Sequence, residues 1–345
     1  MNPKTINALR AWIFGLLVVF AGNATAQDIH FSQFYHAPLS LNPALAAVHR
    51  GDVRFTANYR GQWYSALVPY TTFNATVENR FPLKHRRNQY FGGGLTFRYD
   101  AAGDAELSLA NIRLSGSYTY GLDKENFLSI GLMAGFAQRS FDPASLTFDS
   151  QFNGDQYDPG LPTNENFTTT VNYFADFAAG INYYGQSSTK RNTFYAGAGI
   201  FHLNRPDQSF YEADEAILPM RFSLYLYPTI QIAEKFDLAF AGSAQFQQEY
   251  VEILGMAGLK IFLQQKRSKE IAIQLGSSFR FNSFGDAIIP TGILYYRAWT
   301  FGFSYDINIS DFSTATNGLG GPEFSVRYTI TNVKPFENFR VCRLY

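Results

Sequence analysis

Residues 299 to 309 read Trp299-Thr300-Phe301-Gly302-Phe303-Ser304-Tyr305-Asp306-Ile307-Asn308-Ile309. Successive side chains of an extended strand point to opposite faces. Phe301, Phe303, Tyr305, Ile307 and Ile309 therefore share one face, and Gly302, Ser304, Asp306 and Asn308 share the other. The next such stretch repeats the pattern, with Phe324, Val326, Tyr328 and Ile330 opposite Glu323, Ser325, Arg327 and Thr329. Two acids and a base on the inner face are costly in the dry core of a soluble sandwich, where buried charges need partners. A polar lumen accepts them, and an apolar outside around a polar inside is the pattern of a transmembrane β-barrel.

Outward from this stretch, about fourteen segments have the length of a tilted barrel strand. They are 52–63, 69–81, 89–100, 106–121, 126–140, 168–184, 193–204, 218–232, 236–247, 249–263, 270–281, 286–297, 299–309 and 322–332. Ile271, Ile273, Leu275, Phe279 and Phe281 oppose Ala272, Gln274, Gly276, Ser278 and Arg280, whereas Phe91-Gly92-Gly93-Gly94 blurs the alternation and predicts a bulge or close packing. Aromatic residues make up 17% of the chain, a load expected where ring belts mark two membrane interfaces.

The links provide an independent check. In an even-stranded barrel with periplasmic ends, odd-numbered links face outward and are the long ones. The two longest, about 142–167 and 205–217, are the fifth and seventh. Lys and Arg balance Asp and Glu at 28 each, but the balance hides a polarity. Even links carry Lys84, Arg86, Arg87, Lys124, Lys190, Arg191, Lys235, Lys266, Arg267 and Lys269; odd links carry Asp142, Asp149, Asp155, Asp158, Glu165, Asp207, Glu212, Asp214 and Glu215. A basic inner rim suits anionic headgroups or an acidic periplasmic partner, set against the plainer reading that turns are simply solvated.

The opening residues predict a cleaved signal peptide, 1–26. Lys4 and Arg10 precede the apolar run Ala11 to Ala21, and Ala24-Thr25-Ala26 forms the small-residue cleavage site. An anchor is the weaker reading, because that run is well short of the roughly 20 residues that span a bilayer. Residues 27–51 form an N-terminal segment that is periplasmic or enters the lumen, 52–332 the barrel, and 333–345 a periplasmic tail carrying Cys342, which stands alone and has no intramolecular disulfide partner.

Sites of chemistry are sparse. The five His do not converge as metal ligands, and Asp149 to Asp155 looks like a calcium loop but has Gly160 where the twelfth-position acid belongs. No Ser beside a His at a strand rim offers a nucleophile with its base. The expectation is a non-enzymatic protein without cofactor or metal and without a nucleic-acid partner.

Gln27 to Phe34, Pro38, Leu41-Asn42-Pro43-Ala44, Tyr59-Arg60-Gly61-Gln62-Trp63, Tyr99 to Gly103, Tyr195-Ala196-Gly197, Phe201-His202-Leu203, Phe303 to Asp306 and Gly321 to Tyr328 together resemble the PorP/SprF family of type IX secretion system membrane proteins of Bacteroidetes. Members tend to finish with a tail of the type Cys-Pro-Arg-Phe, whereas this chain ends Cys342-Arg343-Leu344-Tyr345. The resemblance implies an outer-membrane barrel that docks periplasmic secretion components and helps secrete or anchor cargo such as gliding adhesins at the surface. On that reading the docking residues are Phe31, Gln33, Phe34, Pro38, Asn42, Pro43, Arg60, Trp63, Arg86, Arg87, Lys190, Arg191, Lys266 and Arg267, with lumen-lining and girdle roles competing for Arg60 and Trp63. The alternative is a channel for small hydrophobic solutes, because Asn42-Pro43-Ala44 before the first strand also resembles fatty-acid-type outer-membrane transporters.

Overall fold

A computed structural model describes residues 28–331 apart from 64–68, 85–87, 104, 166–168, 211–215, 267–268, 283–285 and 311–317. The expected signal peptide and C-terminal tail lie outside the described residues, as do Arg86, Arg87 and Arg267.

Fourteen antiparallel strands close into a barrel, each paired with its sequence neighbours and the first with the last. They are β1 (Val53–Gln62), β2 (Tyr70–Pro82), β3 (Gln89–Ala102), β4 (Leu107–Gly121), β5 (Asn126–Ser140), β6 (Val171–Gln186), β7 (Thr193–Phe201), β8 (Arg221–Ala233), β9 (Phe236–Gln247), β10 (Tyr250–Gln264), β11 (Ile271–Asn282), β12 (Ala287–Tyr296), β13 (Trp299–Asn308) and β14 (Leu319–Ile330). Closure runs from Val53 opposite Ile330 to Arg60 opposite Glu323. A closed sheet leaves no unpaired edge in lipid, where unsatisfied backbone groups are costly.

The alternation sorts the side chains as the sequence implies. Phe301, Phe303 and Ile307 face outward, and Thr300, Ser304 and Asp306 are buried inside. No helix among the described residues is long and apolar enough to cross a membrane. The strands cross instead, and Leu132, in the middle of β5, is 69% exposed on the outer wall.

The glycine run in β3 is not a bulge. Gly92, Gly93 and Gly94 keep an unbroken register with β2 and β4. Close packing is the reason for the small side chains: a Cβ at Gly92 would overlap the carbonyl of Ala46, and one at Gly94 would meet Leu39.

Those two contacts come from inside the barrel. Residues 28–50 thread the lumen and fill it, with three short 3-10 turns at Phe34–His36, Pro38–Ser40 and Pro43–Leu45. Asp28 lies by the outer ends of the strands, where its N–H donates to Gln247 at the end of β9. Near the other end, the Arg80 guanidinium donates to the carbonyls of Ala47 and His49. The segment therefore runs the length of the lumen before turning into β1.

Irregular chain survives at membrane depth only where it is walled by protein. Here the wall is complete around the plug: Phe31, Phe34, Leu41, Ala44 and Leu45 are each 2% exposed or less. Phe34, Leu39, Leu41, Leu45 and Val48 pack with Tyr225, Ala241, Leu254, Met256 and Ile289 of the wall. That apolar contact across β8–β12 is the core of the molecule.

Candidate functional site: a seated plug beneath an outer cavity

Three polar clusters hold the plug. In the first, the Ser32 and Gln33 N–H groups donate to the Glu323 carboxylate at 2.7 and 2.9 Å. The Gln33 amide donates to Ser304 Oγ and to the Glu323 carbonyl. Arg60 and Arg280 meet Asp306 at 2.7 and 2.8 Å, and Arg60 also donates to the His30 carbonyl.

The second cluster gathers around the start of the plug. The Asp28 carboxylate lies 3.1 Å from His202 Nε2 and 3.2 Å from Arg221 Nε, and 3.8 Å from Arg98. On its other side the His202 ring contacts Asp176 at 2.9 Å, and Asp176 pairs with Arg113 at 3.1 Å. Burial pushes the Asp28 carboxyl up, but Arg221 and His202 outweigh it and hold the group well below the usual carboxylate range. Burial lowers His202, and the hydrogen bonds and charges of Asp176 and Asp28 win and raise it.

The third cluster sits low in the lumen. Asn42 caps the third turn by accepting from Ala44 N–H at 2.8 Å, while its amide donates to the carbonyls of Ile181 and Ala198 and to the Tyr225 hydroxyl. Glu78 accepts from the Ala47 N–H and is paired with Arg54 at 2.6 Å. The Ser117 hydroxyl donates to the Ala46 carbonyl. Wall glycines admit this approach, because a Cβ at Gly131 would overlap the backbone of Ala44, and one at Gly180 the amide of Asn42.

Above the plug lies a cavity of about 600 Å³. Its lining includes Asp28 and His30 of the plug, Trp63, Leu109, Asn111, Arg113, Phe174, His202 and Leu218. His202 has φ 58, so a left-handed backbone turn after β7 aims the ring inward.

The residues singled out in the sequence divide by location. Phe31, Gln33, Phe34, Pro38, Asn42 and Pro43 are enclosed in the lumen, so with the plug seated they present no surface to a partner. Arg60 is 2% exposed and lines the lumen, and Trp63 lines the cavity while stacking edge-on against Tyr70. Lys190 and Lys266 are exposed on the inner rim. Arg191 is not free for a partner: it pairs with Asp237 at 2.7 Å, donates to the carbonyls of Ala233 and Glu234, and lies over the Phe262 ring. Sequence reading missed Asp28, Glu78 and Glu323 as plug-holding residues, and Arg113 and Asp176 as the pair behind His202. The available signal was charge at lumen-facing strand positions together with glycines on the same face.

Barrel, lipid-facing belt and filled lumen define a plugged outer-membrane β-barrel. Its sequence matches the model of the type IX secretion system membrane protein PorP/SprF over residues 23–328, and the chain belongs to that family. No curated protein matches it significantly. Among solved structures it is similar to the TodX deltaS2S3 mutant monoaromatic hydrocarbon channel, at 9% identity and TM-score 0.50, covering 86% of this chain and 94% of that one. A Pseudomonas aeruginosa FadL homologue gives 11% identity and TM-score 0.49, covering 83% and 91%. The CymD monoaromatic hydrocarbon channel gives 11% and 0.46, covering 91% and 96%. At such identities the likeness is one of barrel fold alone.

Proposed function

We propose that this outer-membrane barrel works as a non-enzymatic docking component of the type IX secretion system, binding periplasmic machinery at its inner rim and helping deliver or anchor secreted cargo, such as surface adhesins, at the outer face. The observation that carries this reading is the charge of the inner rim. Lys84, Lys124, Lys190, Lys235, Lys266 and Lys269 are all exposed there, at the mouths of the even links. Exposed Asp123, Glu234 and Glu270 lie among them, and the excess of cations over these acids steers an acidic partner and fixes its register more than it sets affinity. The filled lumen supports the same reading, since cargo then passes beside this barrel and not through it.

Replacing Lys124, Lys235, Lys266 and Lys269 together with Glu tests the proposal. The barrel is expected to insert normally while periplasmic components no longer co-purify and cargo export falls. Unchanged co-purification and export would refute docking at this rim.

A channel for small hydrophobic solutes is the second reading, favoured by the apolar stretch of cavity wall at Leu109, Phe174 and Leu218. It requires the plug to move. Solute uptake by liposomes carrying the protein, lost when the plug is cross-linked to the wall, would support it; uptake equal to empty liposomes would count against it.

A further inference from the structure

The outer cavity has a wall that the plug does not satisfy. Asn111 and Arg113, consecutive lumen-facing residues of β4, are 3% and 4% exposed and both line the cavity. Arg113 spends Nη2 on Asp176, and its Nε and Nη1 have no hydrogen-bond partner; neither has the Asn111 carbonyl oxygen. Leaving such buried groups unmatched is costly, so a ligand that matches them is favoured.

The charges that line the cavity agree. Arg60, Arg113, Arg139 and Arg280 stand around it with Asp28, Asp100 and Asp176, four guanidiniums against three carboxylates before His202 is counted. A small anion is therefore favoured in the cavity.

Around these polar groups the lining is apolar, with Leu109, Ala137, Phe174 and Leu218 beside Trp63. A volume of about 600 Å³ falls in the range of small-molecule pockets. We propose that the cavity binds a small carboxylic acid that carries a hydroxyl or N–H next to its carboxylate and an apolar body behind it. The carboxylate takes the spare donors of Arg113, the hydroxyl or N–H donates to Asn111 Oδ1, and the body lies on Leu109 and Phe174. The proposal goes beyond docking at the inner rim, which lies at the other end of the barrel and is read out separately.

The test is calorimetric titration of the full-length mature barrel in detergent with 3-phenyllactate and 2-hydroxyoctanoate. The uncharged 3-phenylpropane-1,2-diol and octane-1,2-diol serve as matched controls for partition into the micelle. At least one acid is expected to bind saturably at one site, about tenfold or more tighter than its diol, the size of one charge-assisted hydrogen bond. Arg113→Lys keeps the charge beside Asp176 and is expected to weaken the acid about tenfold. Asn111→Ala is expected to erase the preference for 3-phenyllactate over 3-phenylpropanoate. Acids that bind no tighter than the diols, or Arg113→Lys binding as tightly as the unaltered protein, would overturn the proposal.

Discussion

Replacing Asn42 with alanine removes one accepted hydrogen bond and the two that its amide can donate, shared among three acceptors, and the structure allows the loss to be sized. The Asn42 carbonyl accepts from Ala44 N–H at 2.8 Å, and the amide donates to Ile181 O at 2.7 Å, Ala198 O at 3.1 Å and the Tyr225 hydroxyl at 3.1 Å. Each such bond is worth about 0.5–1.5 kcal/mol net, and the alanine leaves a buried N–H and two carbonyls less well served. The strand carbonyls have further lone pairs and the Tyr225 hydroxyl still donates to Asn182, so the sum is discounted to about 2–4 kcal/mol. At about 1.4 kcal/mol per factor of ten, local opening of the third plug turn becomes roughly 30- to 700-fold more frequent. Native-state hydrogen exchange of Ala44, Leu45, Ala46 and Val48 in nanodiscs reads this opening directly, because their N–H groups are held by Asn42, Pro43 and Leu45. Exchange within about twofold of the unaltered protein, twofold being under ~0.5 kcal/mol, would refute the claim that Asn42 fastens the plug.

A further outcome follows from the wall. Leu132→Arg puts a charge on the lipid face in the middle of β5 and is expected to cost about 2–4 kcal/mol in refolding into liposomes; a loss below about 1 kcal/mol would place that face out of lipid.

Strand positions were legible along the chain because the pattern repeats every two residues and is enforced at each one by lipid on one side. The segment 126–140 expected from sequence is the observed β5, and 236–247 is β9. Alternation alone starts the last strand at 322, whereas pairing begins at Leu319 opposite Ile307. Gly320, Gly321 and Pro322 hide that beginning, since they carry no alternation to read. The three glycines of β3 show the same limit. A missing side chain announces that something comes close but does not say what, and here the visitor is the plug at Leu39 and Ala46.

The sequence by itself determined the closed antiparallel wall and its two faces, because both depend on residues that are neighbours along one strand or one hairpin. Only the tertiary structure decided that residues 28–50 fill the lumen and that Arg191 is committed to Asp237. It alone joined Ser32 and Gln33 to Glu323 across about 290 positions. Such contacts obey no period, for they arise where a chain without regular structure meets a surface assembled from fourteen strands, and the pairing of charges there is fixed by geometry that exists only once the cylinder has closed.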